Sequence, residues 1–248
     1  MKSLEEFFAE NRRAAIGLSG GVDSSYLLYA GLHCGADIRP YFVKTAFQPR
    51  FELEDAQRIC RELGTELRVL ELDVLASEAV RTNPPERCYH CKRLLFSTLR
   101  EHAAAEGYTL LLDGTNASDP AEERPGMRAI AELRVRSPLR ECGLAKADVR
   151  RLADEAGLFT AHKPSYACLA TRIPSFDAIT KEKLSLIEAA EDALFAAGYS
   201  DFRVRLRDGG ALLQFPSGQL DRAYAEEEKL LSAMRAFFPS ATIDPKAR

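Results

Sequence analysis

The feature that most constrains the fold lies near the start of the chain. A short apolar run, Ala14-Ala-Ile-Gly-Leu-Ser19, passes directly into Gly20-Gly-Val-Asp-Ser-Ser25, and a helical pattern follows from about Asp23 to Leu32. A strand that becomes a helix across two glycines lets backbone amides approach an anion, because no Cβ stands in the way. Amides at a helix N-terminus, helped by the helix dipole, bind phosphate. Ser19, Ser24 and Ser25 add hydroxyl donors. Asp23 adds a carboxylate of the kind that shares Mg²⁺ with substrate phosphates. The loop lacks the Gly-Lys-Ser/Thr ending of a Walker A motif. The plainer alternative is a tight turn with no ligand.

The alternation continues down the chain. Residues 38–46 read as a strand, 51–64 as a helix ending at a glycine, 66–74 as a third strand, 84–107 as a helix that starts with prolines and stops at Gly107, and 109–116 as a fourth strand. Strands and helices in this order predict an α/β domain, a doubly wound parallel sheet with helices on both faces. After about Pro164 the style changes. An amphipathic helix over 181–198 precedes two short strands around Asp208-Gly-Gly, which reads as a hairpin turn. A long helix over 218–238 and a last strand at 241–244 follow. The expected organisation is one domain over 1–164 and a small α+β domain over 165–248, together matching the 248 residues.

No apolar run approaches the roughly 18 residues that span a bilayer, so no membrane partner is expected. The segment MKSLEEFFAENRR has no apolar core of a secretory signal, which places the expectation in the cytoplasm. The net charge of −3 argues against a long nucleic acid as the main ligand, since such proteins carry a basic excess. In a reducing compartment the six cysteines do not read as a disulfide framework. Cys34, Cys60 and Cys142 are scattered singly and read as buried apolar thiols. Cys88 and Cys91 form a close pair at i and i+3, able to face the same way on a helix turn. Cys168, in Ser165-Tyr-Ala-Cys-Leu-Ala-Thr-Arg-Ile-Pro174, would by residue type alone be core filler.

The Ser19–Ser25 run resembles the PP-loop of the ATP pyrophosphatase superfamily, whose members cleave ATP to AMP and pyrophosphate while adenylating a carbonyl-type oxygen. That resemblance assigns ATP and Mg²⁺ to Ser19, Gly20, Gly21, Val22, Asp23, Ser24 and Ser25. Three later motifs narrow it: Asn83-Pro-Pro-Glu-Arg-Cys-Tyr-His-Cys-Lys92, Asp113-Gly-Thr-Asn116 and Cys168-Leu-Ala-Thr-Arg-Ile-Pro174. Their order is similar to that of the LarE-type sulfur transferases, over nearly the whole chain. The resemblance implies adenylation of a carboxylate of pyridinium-3,5-biscarboxylic acid mononucleotide, a small-molecule nucleotide substrate, and insertion of sulfur on the way to the nickel-pincer nucleotide. It also implies a homo-oligomer, often a hexamer.

One variant of that family sacrifices a cysteine equivalent to Cys168. Another uses three cysteines to hold a [4Fe-4S] cluster that carries a sulfide on its open iron. Cys88, Cys91 and Cys168 resemble the second set. Clusters are held by cysteine thiolates, and three thiolates leave one iron open for sulfide or another sulfur donor. Other readings stay open: Zn²⁺ with His90 or His162 as fourth ligand, a redox disulfide, or a purely structural role.

Asp113, Gly114, Thr115 and Asn116 close the fourth strand. Ligands in doubly wound sheets lie at the carboxyl ends of strands, so these residues are expected to face the nucleotide; a simple strand-end turn is the alternative. Lys92 is a further candidate for phosphate charge. Arg203, Arg205 and Arg207 alternate with Phe202, Val204 and Leu206, so the arginines share one face. That face is either solvated or, because guanidinium forks suit phosphate oxygens, a substrate-phosphate grip. Arg172, close to Cys168, is the stronger candidate for that role and joins Cys168 and Asp23 as an expected catalytic residue. By resemblance Thr171 and Glu191 join the substrate set. The chain departs from the family at Leu212-Leu213-Gln214, where Gln214 replaces a carboxylate and can neither carry charge nor act as a base. Two functions outside this reading are an RNA thiolase and a non-enzymatic nucleotide-binding iron–sulfur sensor. The absence of a basic N-terminal extension counts against the first, and AMP-forming activity would exclude the second.

Overall fold

The computed structural model describes residues 2–120 and 125–248. In chain order the elements are α1 (Leu4–Glu10), β1 (Arg13–Gly17), α2 (Val22–His33), β2 (Asp37–Lys44), α3 (Arg50–Glu62), β3 (Arg68–Glu71), α4 (Glu78–Arg81), α5 (Arg87–Ala105), β4 (Leu111–Leu112) and α6 (Pro125–Glu132). They continue with α7 (Pro138–Glu141), α8 (Lys146–Glu155), α9 (Lys181–Ala196), β5 (Arg203–Arg207), β6 (Gly210–Gln214), α10 (Ser217–Ala225), α11 (Glu227–Met234) and β7 (Ala241–Ile243). The chain divides into two compact units, Met1–Val74 with Glu86–Lys163, and Leu75–Pro85 with Pro164–Arg248.

The first unit is built on a four-stranded sheet in the order β3-β2-β1-β4, all neighbours parallel. Successive side chains of a strand point to opposite faces, and both faces are covered. Ala14, Ile16, Ile38, Phe42 and Leu112 pack on one side with helical residues such as Leu27, Ile59 and Ala153. Ala15, Tyr41 and Leu111 pack on the other with Leu99 and Ala103 of α5 and Ile130 of α6. This is the expected doubly wound α/β architecture. From β1 the chain leads to β2 on one side, while β4 lies on the other. The loops after β1 and β4 therefore part at a topological switch point, the usual ligand position in such sheets.

Three local expectations change. The fourth strand pairs over Leu111–Leu112 only, because Asp113 leaves the ladder. Its carboxylate accepts from Thr115 N at 3.2 Å, Thr115 Oγ1 at 2.6 Å and Ser137 Oγ at 2.6 Å. The helix expected from the prolines at 84–85 starts at Arg87. The segment Leu75–Pro85, which the sequence places inside the first domain, packs with the C-terminal residues instead. Buried Asn83 holds it there from a left-handed backbone (φ +56°), donating to the carbonyls of Ile173 at 3.2 Å and Pro174 at 2.7 Å.

The second unit carries the three-stranded sheet β5-β6-β7. β5 and β6 form the expected antiparallel hairpin, and β7 runs parallel to β6. The two turn residues, Asp208 and Gly209, both have positive φ, +50° and +78°. That is the conformation a two-residue hairpin turn demands, and Asp-Gly supplies it at little cost. α9 buries Leu184, Ile187, Ala190, Glu191 and Leu194 on one stripe. The long helix expected over 218–238 is two helices, α10 and α11, broken at Glu226. There the carboxylate is drawn back to Arg222 Nε at 2.9 Å and to the Tyr199 hydroxyl at 3.1 Å.

Candidate functional site

The first unit contains a cavity of about 480 Å³ at the carboxyl ends of β1 and β4. Ser19, Gly21, Asp23 and Ser24 form one wall, and Asp113, Gly114 and Thr115 another. Cys88 and Lys92, one turn apart on α5, line it as well. Three separately read motifs thus meet in one space. Lys92, expected as a candidate for phosphate charge, faces the cavity.

The loop geometry follows from its glycines. Gly20 has φ +73°, and a Cβ there would lie 2.6 Å from the Glu52 carbonyl oxygen. A Cβ on Gly114 would lie 2.8 Å from the Ser24 amide nitrogen. The Asp113-Gly-Thr turn therefore presses against the first turn of α2, a contact no side chain would permit. Gly21 is the N-cap of α2, and no side chain caps the helix. Its first-turn amides face a place where an anion can serve as the cap. Ser24 Oγ accepts from Ser19 N at 3.2 Å, and the two hydroxyls lie 3.1 Å apart, so both line the phosphate position. Ser25 does not join them. It is fully buried, and its hydroxyl has no hydrogen-bond partner among the described residues.

Asp23, expected to help hold Mg²⁺, is engaged at both oxygens. Asn116 Nδ2 donates to Oδ1 at 3.3 Å and Lys146 Nζ to Oδ2 at 2.5 Å. Lys163 braces the loop from the other side, donating to the Gly20 carbonyl at 3.1 Å and pairing with Asp55. Neither lysine is marked in the sequence. Lys146 opens an ordinary amphipathic helix, and only the tertiary fold brings it to Asp23. A second, more apolar cavity of about 160 Å³ shares Gly17, Ser19 and Phe96 with the first and is walled by Tyr41, Phe42 and Leu95.

None of the six cysteines is in a disulfide. Burial pushes the Cys60 thiol up to about 12 and raises Cys142 as well, as expected for buried thiols; Cys34, expected to be buried with them, is only half-buried, and its thiol is raised too. Cys88 is exposed, and Cys91 and Cys168 are half-buried. Arg87 donates to Cys88 Sγ at 3.5 Å. Cysteine thiolates are the usual ligands of iron–sulfur groups; Cys88 and Cys91 belong to the first unit and Cys168 to the second. Among the described residues no three His, Cys, Asp or Glu side chains gather as a ready metal site. His162, weighed as a zinc ligand, is 84% exposed and lies 2.9 Å from Asp154.

In the second unit Cys168 opens a short 3-10 turn, Leu169–Arg172. Its carbonyl accepts from Thr171 N at 3.0 Å and Thr171 Oγ1 at 2.9 Å. Arg172 is buried completely. Its Nε and Nη2 meet the two oxygens of Glu191 at 2.8 and 3.1 Å, and its Nη1 reaches the Ala167 carbonyl and Thr171 Oγ1, each at 2.9 Å. Glu191 is 1% exposed and also accepts from Val204 N at 3.0 Å and from the Tyr166 hydroxyl. The Tyr166 ring packs against the guanidinium of Arg172 at 4.6 Å and that of Arg203 at 5.3 Å.

The three alternating arginines divide. Arg203 is buried, donating to the Ser165 carbonyl at 2.8 Å. Burial first, then Arg172 and Arg248, push it down to about 10, so it remains a cation at neutral pH. Arg205 and Arg207 are exposed. Arg205 donates to Gln214 at 2.6 Å and to the Thr171 carbonyl at 3.0 Å. Gln214 in turn donates to Asp244 at 2.7 Å, which with the Lys246 amide holds the Asp244 carboxyl below its usual range. The carboxylate missing at position 214 is therefore present one residue further along this chain of contacts. Nothing in the sequence around Asp244 marks it.

No family model matches the chain. The uncharacterized protein slr1717 of Synechocystis is 36% identical over 225 residues, covering 90% of this chain and 83% of its own. The pyridinium-3,5-bisthiocarboxylic acid mononucleotide synthase of Lactiplantibacillus plantarum is 30% identical over 211 residues, covering 84% of this chain and 76% of its own. More distantly, the tRNA-specific 2-thiouridylase MnmA of a Thermotoga strain is 25% identical over 193 residues, covering 61% and 54%. With the phosphate loop, the switch-point cavity and this similarity together, the chain belongs to the LarE-type family of ATP-dependent sulfur transferases within the PP-loop superfamily.

Proposed function

We propose that the protein adenylates a carboxylate of pyridinium-3,5-biscarboxylic acid mononucleotide and exchanges the AMP for sulfur. The observation that carries this reading is the single cavity shared by the phosphate loop, the Asp113–Thr115 turn and Cys88. ATP fits with its base in the apolar space beside Phe96 and its phosphates over Gly21, Ser19 and Ser24. Asp23 is the residue to share Mg²⁺ with those phosphates. A substrate carboxylate oxygen attacks the α-phosphorus, the bond from that phosphorus to the bridging oxygen breaks, and pyrophosphate leaves. Lys92 and the α2 amides stabilise the charge that develops on the phosphates. A sulfur nucleophile then adds to the acyl carbon, the carbon–oxygen bond breaks and AMP departs with its electron pair.

The sulfur is read as coming by way of Cys88, Cys91 and Cys168. A [4Fe-4S] cluster on these thiolates would supply a replaceable sulfide, sparing the Cys168 sulfur from consumption. Arg203 and Arg205 are the substrate-phosphate candidates of the second unit. Arg172 acts through Glu191 to hold the Cys168 turn in shape. The protein is read as cytoplasmic and homo-oligomeric. Similarity to a tRNA thiolase supports the same chemistry on RNA as the second reading, which the net charge of −3 disfavours.

The test is AMP and pyrophosphate release from ATP by anaerobically purified protein, with the pyridinium dicarboxylate nucleotide or with unmodified tRNA as acceptor. Stimulation by the nucleotide alone supports the reading. Stimulation by tRNA alone transfers it to RNA thiolation, and no release with either acceptor leaves a nucleotide-binding sensor. Iron and acid-labile sulfide counts on the same sample, lost in C88A, C91A and C168A, test the cluster.

A further inference from the structure

We propose that Lys146 is a placeholder cation: it neutralises Asp23 while the site holds no divalent metal, and is released onto the pyrophosphate end of the nucleotide when the metal arrives. The inference rests on the nucleotide reading above and adds a residue that it does not use.

Both oxygens of Asp23 are taken, Oδ1 by Asn116 and Oδ2 by Lys146 at 2.5 Å. A divalent ion on Oδ2 would sit against the ammonium already there, and the repulsion between the two cations favours release of Lys146 as the metal enters. Both side chains remain partly solvated, at 29% and 22% exposure, which permits exchange. The lysine backbone, by contrast, is fixed. Lys146 N donates to Ser118 Oγ at 3.0 Å, and Ser118 N donates to Asn116 Oδ1 at 2.9 Å. The turn that orients Asp23 through Asn116 therefore also anchors Lys146, leaving a flexible four-carbon stem as its only moving part.

Charge decides where the ammonium goes. The cavity wall carries Asp23, Asp113 and Asp119 against the single cation Lys92, among the described residues lining it. A nucleotide triphosphate adds about four negative charges to that wall, and a Mg²⁺ ion supplies two positive ones. With the metal on Asp23, Lys146 is next to a like charge and close to unneutralised phosphate oxygens. The departing pyrophosphate is the group with most to gain from it, because charge accumulates there as the bond breaks.

The test compares wild type with Lys146→Met and Lys146→Arg, using Mn²⁺ alone (counted by its electron paramagnetic resonance signal), magnesium pyrophosphate, and the magnesium complex of α,β-methylene ATP, none of which needs turnover. In K146M, Mn²⁺ alone should bind about fivefold to tenfold tighter, and magnesium pyrophosphate weaker by a similar factor, the size of a half-buried charge pair. K146R should retain pyrophosphate binding. Unchanged or weaker Mn²⁺ binding in K146M, or unchanged pyrophosphate binding, overturns the proposal. So does a parallel loss of both, which would mark Lys146 as merely structural. K146Q serves as the uncharged variant should K146M not fold. Failure of the wild type to bind the ATP analogue sinks the nucleotide reading itself; normal binding with unaltered variants sinks only the role of Lys146.

Discussion

Substituting Glu191 by glutamine separates a structural ion pair from a substrate contact. The carboxylate accepts four donors: Arg172 Nε at 2.8 Å, Arg172 Nη2 at 3.1 Å, Val204 N at 3.0 Å and the Tyr166 hydroxyl. Glutamine keeps one acceptor oxygen. Its amide nitrogen, placed where the second oxygen was, meets the Arg172 Nη2 donor head-on. A guanidinium whose side chain is 0% exposed is then left without a counter-charge. Removing one partner of such a pair costs about 3–5 kcal/mol, most of it the uncompensated charge. With a urea slope of about 2 kcal/mol per molar, a loss of about 4 kcal/mol lowers the midpoint by about 2 M. The assay is urea denaturation followed by circular dichroism, with hydrogen exchange and mass spectrometry to locate the loss in residues 165–248. The double variant E191L/R172M, which removes both charges, should recover more than half of the loss. An E191Q protein less than about 1 kcal/mol weaker, yet unable to bind the mononucleotide, would refute the reasoning and return Glu191 and Arg172 to direct substrate contact.

Gly20→Ala should cost about 1–2 kcal/mol for its left-handed backbone alone, with the clash against the Glu52 carbonyl added; a melting temperature within error of wild type contradicts this. Iodoacetamide at about pH 8 should label Cys88 and spare Cys60, whose thiol is buried and pushed up to about 12, as peptide mapping would show. The Arg136 guanidinium holds the Glu141 carboxyl below its usual value. Its contribution is present above the ordinary carboxylate value and lost as pH falls through the lower folded one. Because both side chains are about a third or more exposed, it amounts to less than about 1 kcal/mol. E141Q should flatten the acid-side fall in unfolding free energy, read from urea curves, by that much.

Much of the first unit was legible because its signals are local. A parallel strand buried on both faces needs a run like Ala14-Ala-Ile, and a phosphate loop needs glycines where Cβ atoms would collide. Both requirements act between neighbours in the chain, so a sequence displays them. The fourth strand stops early and the 218–238 helix breaks where long-range hydrogen bonds, to Ser137 and Tyr199, override local propensity. At the site, the sequence by itself determined the chemistry available: amides and hydroxyls for phosphate, a carboxylate at Asp23, thiols at Cys88, Cys91 and Cys168. Tertiary structure alone decided what those groups touch. It turned Ser25 into the core, buried Arg172 against Glu191, brought Asp244 to Gln214 and set Lys146 on Asp23 across 123 positions of chain. Charge pairing depends on distance in space rather than in sequence, and only the folded backbone sets that distance.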